Sequence, residues 1–204
     1  VGTLQLPGFG GGANWPSGAA DPETGFVYVG SITNPTVLGL VPNLPARPED
    51  PNYSDYRMSG GLPDLPYALP LLKPPYGRIT AYNMNQGEIA WQIPNGDTPP
   101  AIQAQLDEAG LTNVPPTGSR AQAGLLVTKS LLFAGEGANG QPYLHAYDKQ
   151  SGQEIWRTAL PSGPQTGLPM TYLHEGKQYI IVAVNGNAPG ESGNAAQLVA
   201  YRLP

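Results

Sequence analysis

The 204-residue chain has no cysteine. That excludes disulfides, thiol nucleophiles and zinc–thiolate sites. Charge is scarce as well: Asp, Glu, Lys and Arg make up 12% of the residues, with Lys+Arg 10 against Asp+Glu 15 and a net charge of −5. So acidic and cation-poor a chain is a weak binder of nucleic acid, whose affinity rests on Lys and Arg at phosphates. No run of about 18 apolar residues occurs, so no segment reads as a membrane-spanning helix. Long helix-compatible windows are missing too. Gly 27 and Pro 24 together form a quarter of the chain and interrupt almost every such window, which removes a helical bundle. The chain begins at Val1 with neither Met nor a signal-type leader. The expectation is a processed protein or a piece of a longer one.

What remains is 40% hydrophobic residues and 11 Tyr, enough for a packed protein of one or two domains. An internal repeat organises it. Residues 78–91 read RITAYNMNQGEIAW and residues 143–156 read YLHAYDKQSGQEIW. The shared landmarks are Ala81, Tyr82, Gly87 and Trp91, then Ala146, Tyr147, Gly152 and Trp156. A third copy, LVAYRLP, carries Ala200 and Tyr201 and stops before its Gly and Trp.

Each copy reads as a β-hairpin: an alternating strand, four turn-forming residues ending in Gly, then a strand bearing Trp. Upstream of each lies a short apolar run: Gly25–Ser31, Leu125–Gly135 and Gln178–Asn185. A Gly/Ala/Pro-rich segment precedes each run, near 14–20, 119–124 and 167–172, giving about four strands per unit. Four short antiparallel strands with Trp in the last is the pattern of a β-propeller blade. The expected fold is therefore all-β, with blade one at about 10–96, blade two at about 119–161 and an incomplete blade three at about 167–204. Blade one carries an insertion at 32–75, rich in Pro and polar residues and expected to be a loop. A second insertion, near 97–118, is expected to hold a short helix with Ile102, Leu106 and Ala109 on one side and Gly110 as its stop. Closed propellers use about four to eight blades. Three blades with raw edges point to part of a larger ring, the remainder coming from an upstream part or from a separate chain.

Chemistry is thinly signposted. Gly135–Gly140 (GEGANG) fits a dinucleotide fingerprint, but a strand rather than a helix follows, so a turn between strands is the expectation. His145 and His174 have no metal-ligand spacing and read as a strand-face and a turn histidine. No Ser/His/Asp set has usable context. Trp91 and Trp156, at equivalent repeat positions, are expected to pack between neighbouring blades. Trp15 stands apart, in the glycine-rich stretch GGGANWPSG (10–18). There Asn14 and Trp15 offer an amide and a flat aromatic face, suited to a planar polar ligand.

Together, PPYGRITAYNMNQGEIAWQIPNGDTP (74–99), LLVTKSLLFAGEG (125–137), LPMTYLHEGKQYIIVAVNG (168–186) and the Gly-Gly-x-Asn-Trp loop at 11–15 resemble the C-terminal part of the pyrroloquinoline quinone-dependent dehydrogenases. The likeness is to the membrane-type glucose dehydrogenase branch in particular. The resemblance implies an eight-bladed propeller with the quinone and a calcium ion at its hub. It implies a periplasmic enzyme, with membrane association through an upstream segment. The family oxidises an aldose sugar or an alcohol by hydride transfer to the quinone and passes electrons to ubiquinone or a cytochrome. Carried over by motif, the quinone-side residues are Asn14 and Trp15, a position near Gln122, and the last loop at Gly186 and Asn187. That loop lacks the Trp found in the alcohol and methanol branch. The catalytic carboxylate and the metal ligands fall in the family's upstream half, so the isolated chain is expected to be inactive. The competing expectation is a non-catalytic propeller that binds protein partners, as in outer-membrane assembly scaffolds, which have no need of the Asn-Trp loop.

Overall fold

The computed structural model describes residues 2–45, 49–62, 65–121, 123–136, 142–161, 163–185 and 196–202. Strand β1 spans Thr3–Gln5, β2 Gly18–Asp21, β3 Phe26–Ile32, β4 Thr36–Pro42, β5 Tyr56–Ser59, β6 Gly77–Asn83 and β7 Glu88–Pro94. Beyond helix α1 (Pro100–Glu108) come β8 (Leu125–Val127), β9 (Leu131–Gly135), β10 (Tyr143–Asp148), β11 (Glu154–Ala159), β12 (Met170–His174), β13 (Lys177–Val184) and β14 (Gln197–Arg202). They form antiparallel sheets in the orders β2-β3-β6-β7, β11-β10-β9-β8 and β12-β13-β14, with a separate sheet β1-β4-β5.

The repeat landmarks explain the hairpins. Ala81 pairs with Trp91 and Ala146 with Trp156, and in each hairpin the register shifts immediately after that Ala. Gly87 and Gly152 close the turns at φ of 72° and 73°, a conformation cheap only for glycine. In the third sheet Ala200 and Tyr201 pair with Ile181 and Ile180 on the preceding strand.

Packing follows the two-residue period. Leu132, Ala134 and Tyr147 face the first sheet, where they bury with Tyr28, Ile79 and Ala81. Phe133, Leu144 and Ala146 face the third, against Ile180, Val182 and Val184. The middle sheet is thus covered on both faces, which is why β9 reads as an unbroken apolar run. Two polar ties lock the first sheet to the second. The Tyr28 hydroxyl and the Trp91 indole N–H both donate to the Lys149 carbonyl, at 3.1 and 3.2 Å. The buried Lys149 ammonium reaches Asp21 Oδ2 at 2.5 Å. Burial first, and the Asp21 charge second, push the Tyr28 phenol up to about 12, so it stays a donor.

Four expectations need correction. The run 125–135 is two strands joined by a tight turn, where the Thr128 N–H donates to the Leu131 carbonyl. The first strand of the middle sheet is therefore β8, and none of the described residues of 119–124 lies in a strand. Segment 32–75 is no plain loop: its apolar stretch TVLGLVP forms β4, which pairs with both β1 and β5. Trp156 is not fully seated between sheets: it stays 44% exposed, its ring edge-to-face with Tyr201 of the third sheet at 6.1 Å. Trp91 is seated because Gly152 of the next sheet leaves room; a Cβ there would come within 2.9 Å of its ring. Finally, β2 begins only at Gly18, after a 3-10 turn at Trp15–Ser17. Helix α1 forms as expected, with Ile102 and Leu106 buried against Tyr76.

Candidate functional site

The first strands of the two complete sheets, β2 and β8, approach one another, so the segment entering β2 lies at the inner end of the stack. That segment is the glycine-rich loop. Its hold is light: the Ile32 N–H donates to the Gly12 carbonyl at 2.7 Å, and the Ser17 N–H to the Asn14 carbonyl at 3.0 Å. The Trp15 ring is 97% exposed, far outside the norm for a tryptophan in a packed protein. Asn14 is exposed too, and its amide makes no capping bond. Ala13, Asn14, Trp15, Ser17, Gly18 and Val29 line a shallow hollow of about 370 Å³. A Cβ at Gly10 or Gly18 would touch nothing within 4 Å, so the approach to the ring is open. Ser17 Oγ, in a residue 1% exposed, has no hydrogen-bond partner among the described residues. Ser17 escaped the sequence reading because a lone Ser after Trp-Pro carries no pattern. Gln122, Gly186 and Asn187 lie outside the described residues, as does most of the expected 135–140 turn.

A second constellation surrounds His145, which is fully buried on β10. Its Nε2 lies 3.0 Å from Glu136 Oε1 and its Nδ1 2.7 Å from Glu154 Oε2. The ring stacks on Tyr147 at 5.6 Å. Burial alone would lower the imidazole pKa. The hydrogen bonds to Glu136 and Glu154 outweigh it and hold the pKa above the ordinary value. The strand-face reading of this histidine is right; its partners were missed. Each glutamate stands nine positions from His145, across the hairpin on either side, a symmetry present in the sequence. His174 sits at an exposed strand end beside the Glu175–Gly176 turn. Among the described residues no group of three or more His, Asp or Glu is placed to hold a metal ion.

A third feature is a cavity of about 400 Å³ where the β3–β6 connection meets α1 and the segment leading to β8; Asn34, Tyr76, Ile102, Gln105 and Arg120 are among its walls.

Stacked antiparallel sheets whose inner strands converge define a β-propeller-type protein. The chain belongs to the family described as glucose/ethanol/alcohol dehydrogenase, β-propeller domain, of the pyrroloquinoline quinone type, whose family model matches residues 1–180. The chain is similar to the quinate/shikimate dehydrogenase (quinone) of Acinetobacter baylyi, 29% identical over 98% of this chain and 26% of that protein. It is also similar to the quinoprotein glucose dehydrogenase of Escherichia coli strain K12, 28% identical over 100% of this chain and 27% of that protein. Among solved structures, a quinohaemoprotein alcohol dehydrogenase from Pseudomonas putida HK5 shares the fold, with a TM-score of 0.60 at 22% identity over 90% of this chain and 24% of that one. The chain thus spans about a quarter of the length of these relatives. Members of the family are quinoprotein oxidoreductases that use pyrroloquinoline quinone, typically with calcium. The residues present fit such a cofactor: an uncovered aromatic face and an exposed amide stand side by side at one hollow.

Proposed function

We propose that this chain is the C-terminal portion of a pyrroloquinoline quinone-dependent dehydrogenase that oxidises an aldose sugar or an alcohol. The almost complete exposure of Trp15 on an open glycine loop carries the reading. The bound quinone supplies hydride acceptance. On this chain, the Trp15 face would stack against the flat cofactor and the Asn14 amide would hydrogen-bond its polar edge. Gln122, Gly186 and Asn187 join the proposal on sequence correspondence alone. Sheet β2-β3-β6-β7 serves as blade one, β8 to β11 as blade two and β12 to β14 as an incomplete blade three of an expected eight. The remaining N-terminal part, or a separate chain supplying it, contributes the carboxylate base and the calcium ligands. Ubiquinone or a cytochrome takes the electrons, and the site of action is periplasmic, with membrane association through that part.

Two measurements test this. The isolated chain, given quinone, calcium and glucose, is expected to reduce no dye above the blank; clear turnover would refute the partial-propeller reading. In the protein carrying its remaining blades, Trp15→Ala is expected to weaken quinone binding by up to about tenfold, the equivalent of an aromatic stack of roughly 0.5–1.5 kcal/mol. The unfolding midpoint of the 204-residue chain itself should stay within error, since the ring is 97% exposed there. Unchanged quinone affinity would remove Trp15 from the site.

A further inference from the structure

We infer that two copies of this chain pair head to tail, the open face of the third sheet in one copy packing on the open face of the first sheet in the other. The chain supplies the template for this contact twice. Residues paired across antiparallel strands share a face. In the first sheet Ala81 pairs with Tyr28 and Ile79 with Gly30, and that face is buried against the middle sheet. In the middle sheet Ala146 pairs with Phe133 and Leu144 with Gly135, and that face is buried against the third sheet. The third sheet repeats the pattern: Ala200 pairs with Ile181 and Leu198 with Ala183. There the outcome differs. Ile79 and Leu144 are 0% exposed, whereas Leu198, at the same place in the repeat, is 76% exposed. Ala200 is exposed with it, and so is Met170, which pairs with Ile181 from β12.

The surface that receives such a face is equally defined. Each covered face meets a Tyr and its cross-strand partner on the following sheet: first Tyr147 with Leu132, then Tyr201 with Ile180. The corresponding pair on the first sheet is Tyr82 with Val27. Tyr82 is exposed and Val27 half-buried, so one chain carries one open face of each kind. A second copy offers the complement, in the order that the chain itself uses twice. Scattered exposed apolar side chains are ordinary. A row of them at positions sealed in two neighbouring sheets marks an interface. Because the two faces differ, the contact is heterologous. Two copies of three stacked sheets make six, within the range of about four to eight for closed propellers. A third copy would exceed that range, so pairing stops at two. The inference does not rest on the dehydrogenase reading, since both faces and the template lie in this chain; the remaining blades of such an enzyme would compete for the same faces.

Sedimentation equilibrium of the 204-residue chain tests the pairing. The parent is expected at twice the chain mass at about 100 µM, well above the micromolar weak end of standard interfaces, and at the single-chain mass on dilution. Leu198→Asp and, on the same face, Met170→Asp should each weaken pairing at least tenfold, as loss of a contact at an interface centre does. Tyr82→Asp should do the same from the other side. Leu40→Asp, on the separate sheet β1-β4-β5 and 75% exposed, should leave the pair intact. Mixing supplies the sharpest reading. Leu198→Asp keeps the first-sheet face and Tyr82→Asp keeps the third-sheet face, so together they should restore the pair that neither forms alone. All four side chains are exposed, and far-UV circular dichroism equal to the parent verifies the fold of each variant. A single-chain mass throughout, assemblies larger than two, a pair that survives both Leu198→Asp and Met170→Asp, loss of the pair in Leu40→Asp, or a mixture that stays single overturns the inference. No quinone or turnover enters these measurements, so their failure leaves the dehydrogenase reading standing, and the reverse also holds.

Discussion

Gly77→Ala is expected to destabilise the chain by more than about 3 kcal/mol, at or beyond the upper end of overpacking costs. A Cβ on Gly77 would be driven into the backbone carbonyl of Ser119. Backbone offers no rotamer as an escape, and both sides are pinned. The Asn95 N–H donates to the Gly77 carbonyl at 2.9 Å, the Ser119 N–H to the Asn95 carbonyl at 2.9 Å, and the Tyr76 N–H to the Thr117 carbonyl at 2.7 Å. Relieving the collision means breaking this three-way crossing, which joins the first sheet to the segment feeding the second. Gly10→Ala is the control: nothing lies within 4 Å of its Cβ, so it should stay within about 0.5 kcal/mol of the parent. Urea unfolding of the two variants checks the pair. A Gly77→Ala midpoint equal to that of Gly10→Ala would show that the crossing is not as the structure draws it.

The second large effect belongs to His145. Its imidazole binds a proton more tightly in the folded chain than in the unfolded one, where the pKa is about 6.5. The stabilisation from its bonds to Glu136 and Glu154 is therefore complete below about pH 6.5. It is lost as pH rises through the higher folded-state value. Glu136 is 1% exposed at its side chain, whereas Glu154 is 40% exposed and shared with Arg157 at 3.8 Å. The inner bond thus matters more than the outer one. His145→Leu removes a buried partner of Glu136 and should cost about 3 kcal/mol at pH 6, the low end for a broken buried pair. It should also flatten the decline that sets in as pH rises above about 6.5. Replacing Glu136 and His145 together by Leu should recover part of the loss, since an apolar pair of similar volume is often no worse than a buried ion pair. If His145→Leu matches the parent at pH 6, or if the parent gains stability with rising pH, the imidazole is not held charged between the two glutamates.

Whatever depended on neighbours in the chain could be read from the sequence. The Ala-Tyr, Gly, Trp spacing located both hairpins, because pairing across a short turn is a local event. Ile102, Leu106 and Gly110 located α1 for the same reason. Reading failed where two elements carry one signal. LLVTKSLLFAG is apolar throughout because its sheet is covered on both faces, so periodicity could not reveal the turn at 128–130. TVLGLVP was hidden inside a proline-rich segment, and its partner β1 lies some thirty residues upstream. Trp91 and Trp156 are indistinguishable in sequence, yet one is seated on the Gly152 turn of the next sheet and the other stands half exposed. At the candidate site, Asn14 and Trp15 were legible from composition. Ser17, Glu136 and Glu154 were not, since each matters only through what surrounds it.

The order of residues alone determined a repeating all-β chain with few charges, two complete hairpins and one aromatic loop set apart from the repeat. Tertiary structure decided which tryptophan is covered, that His145 lies between two carboxylates, and that Arg120 and Gln105 share one cavity. Hairpins form between residues a few positions apart, whereas the cover on Trp91 comes from the next sheet, tens of residues away, and even the carboxylates nine positions from His145 gain their burial and geometry only after the sheets have stacked.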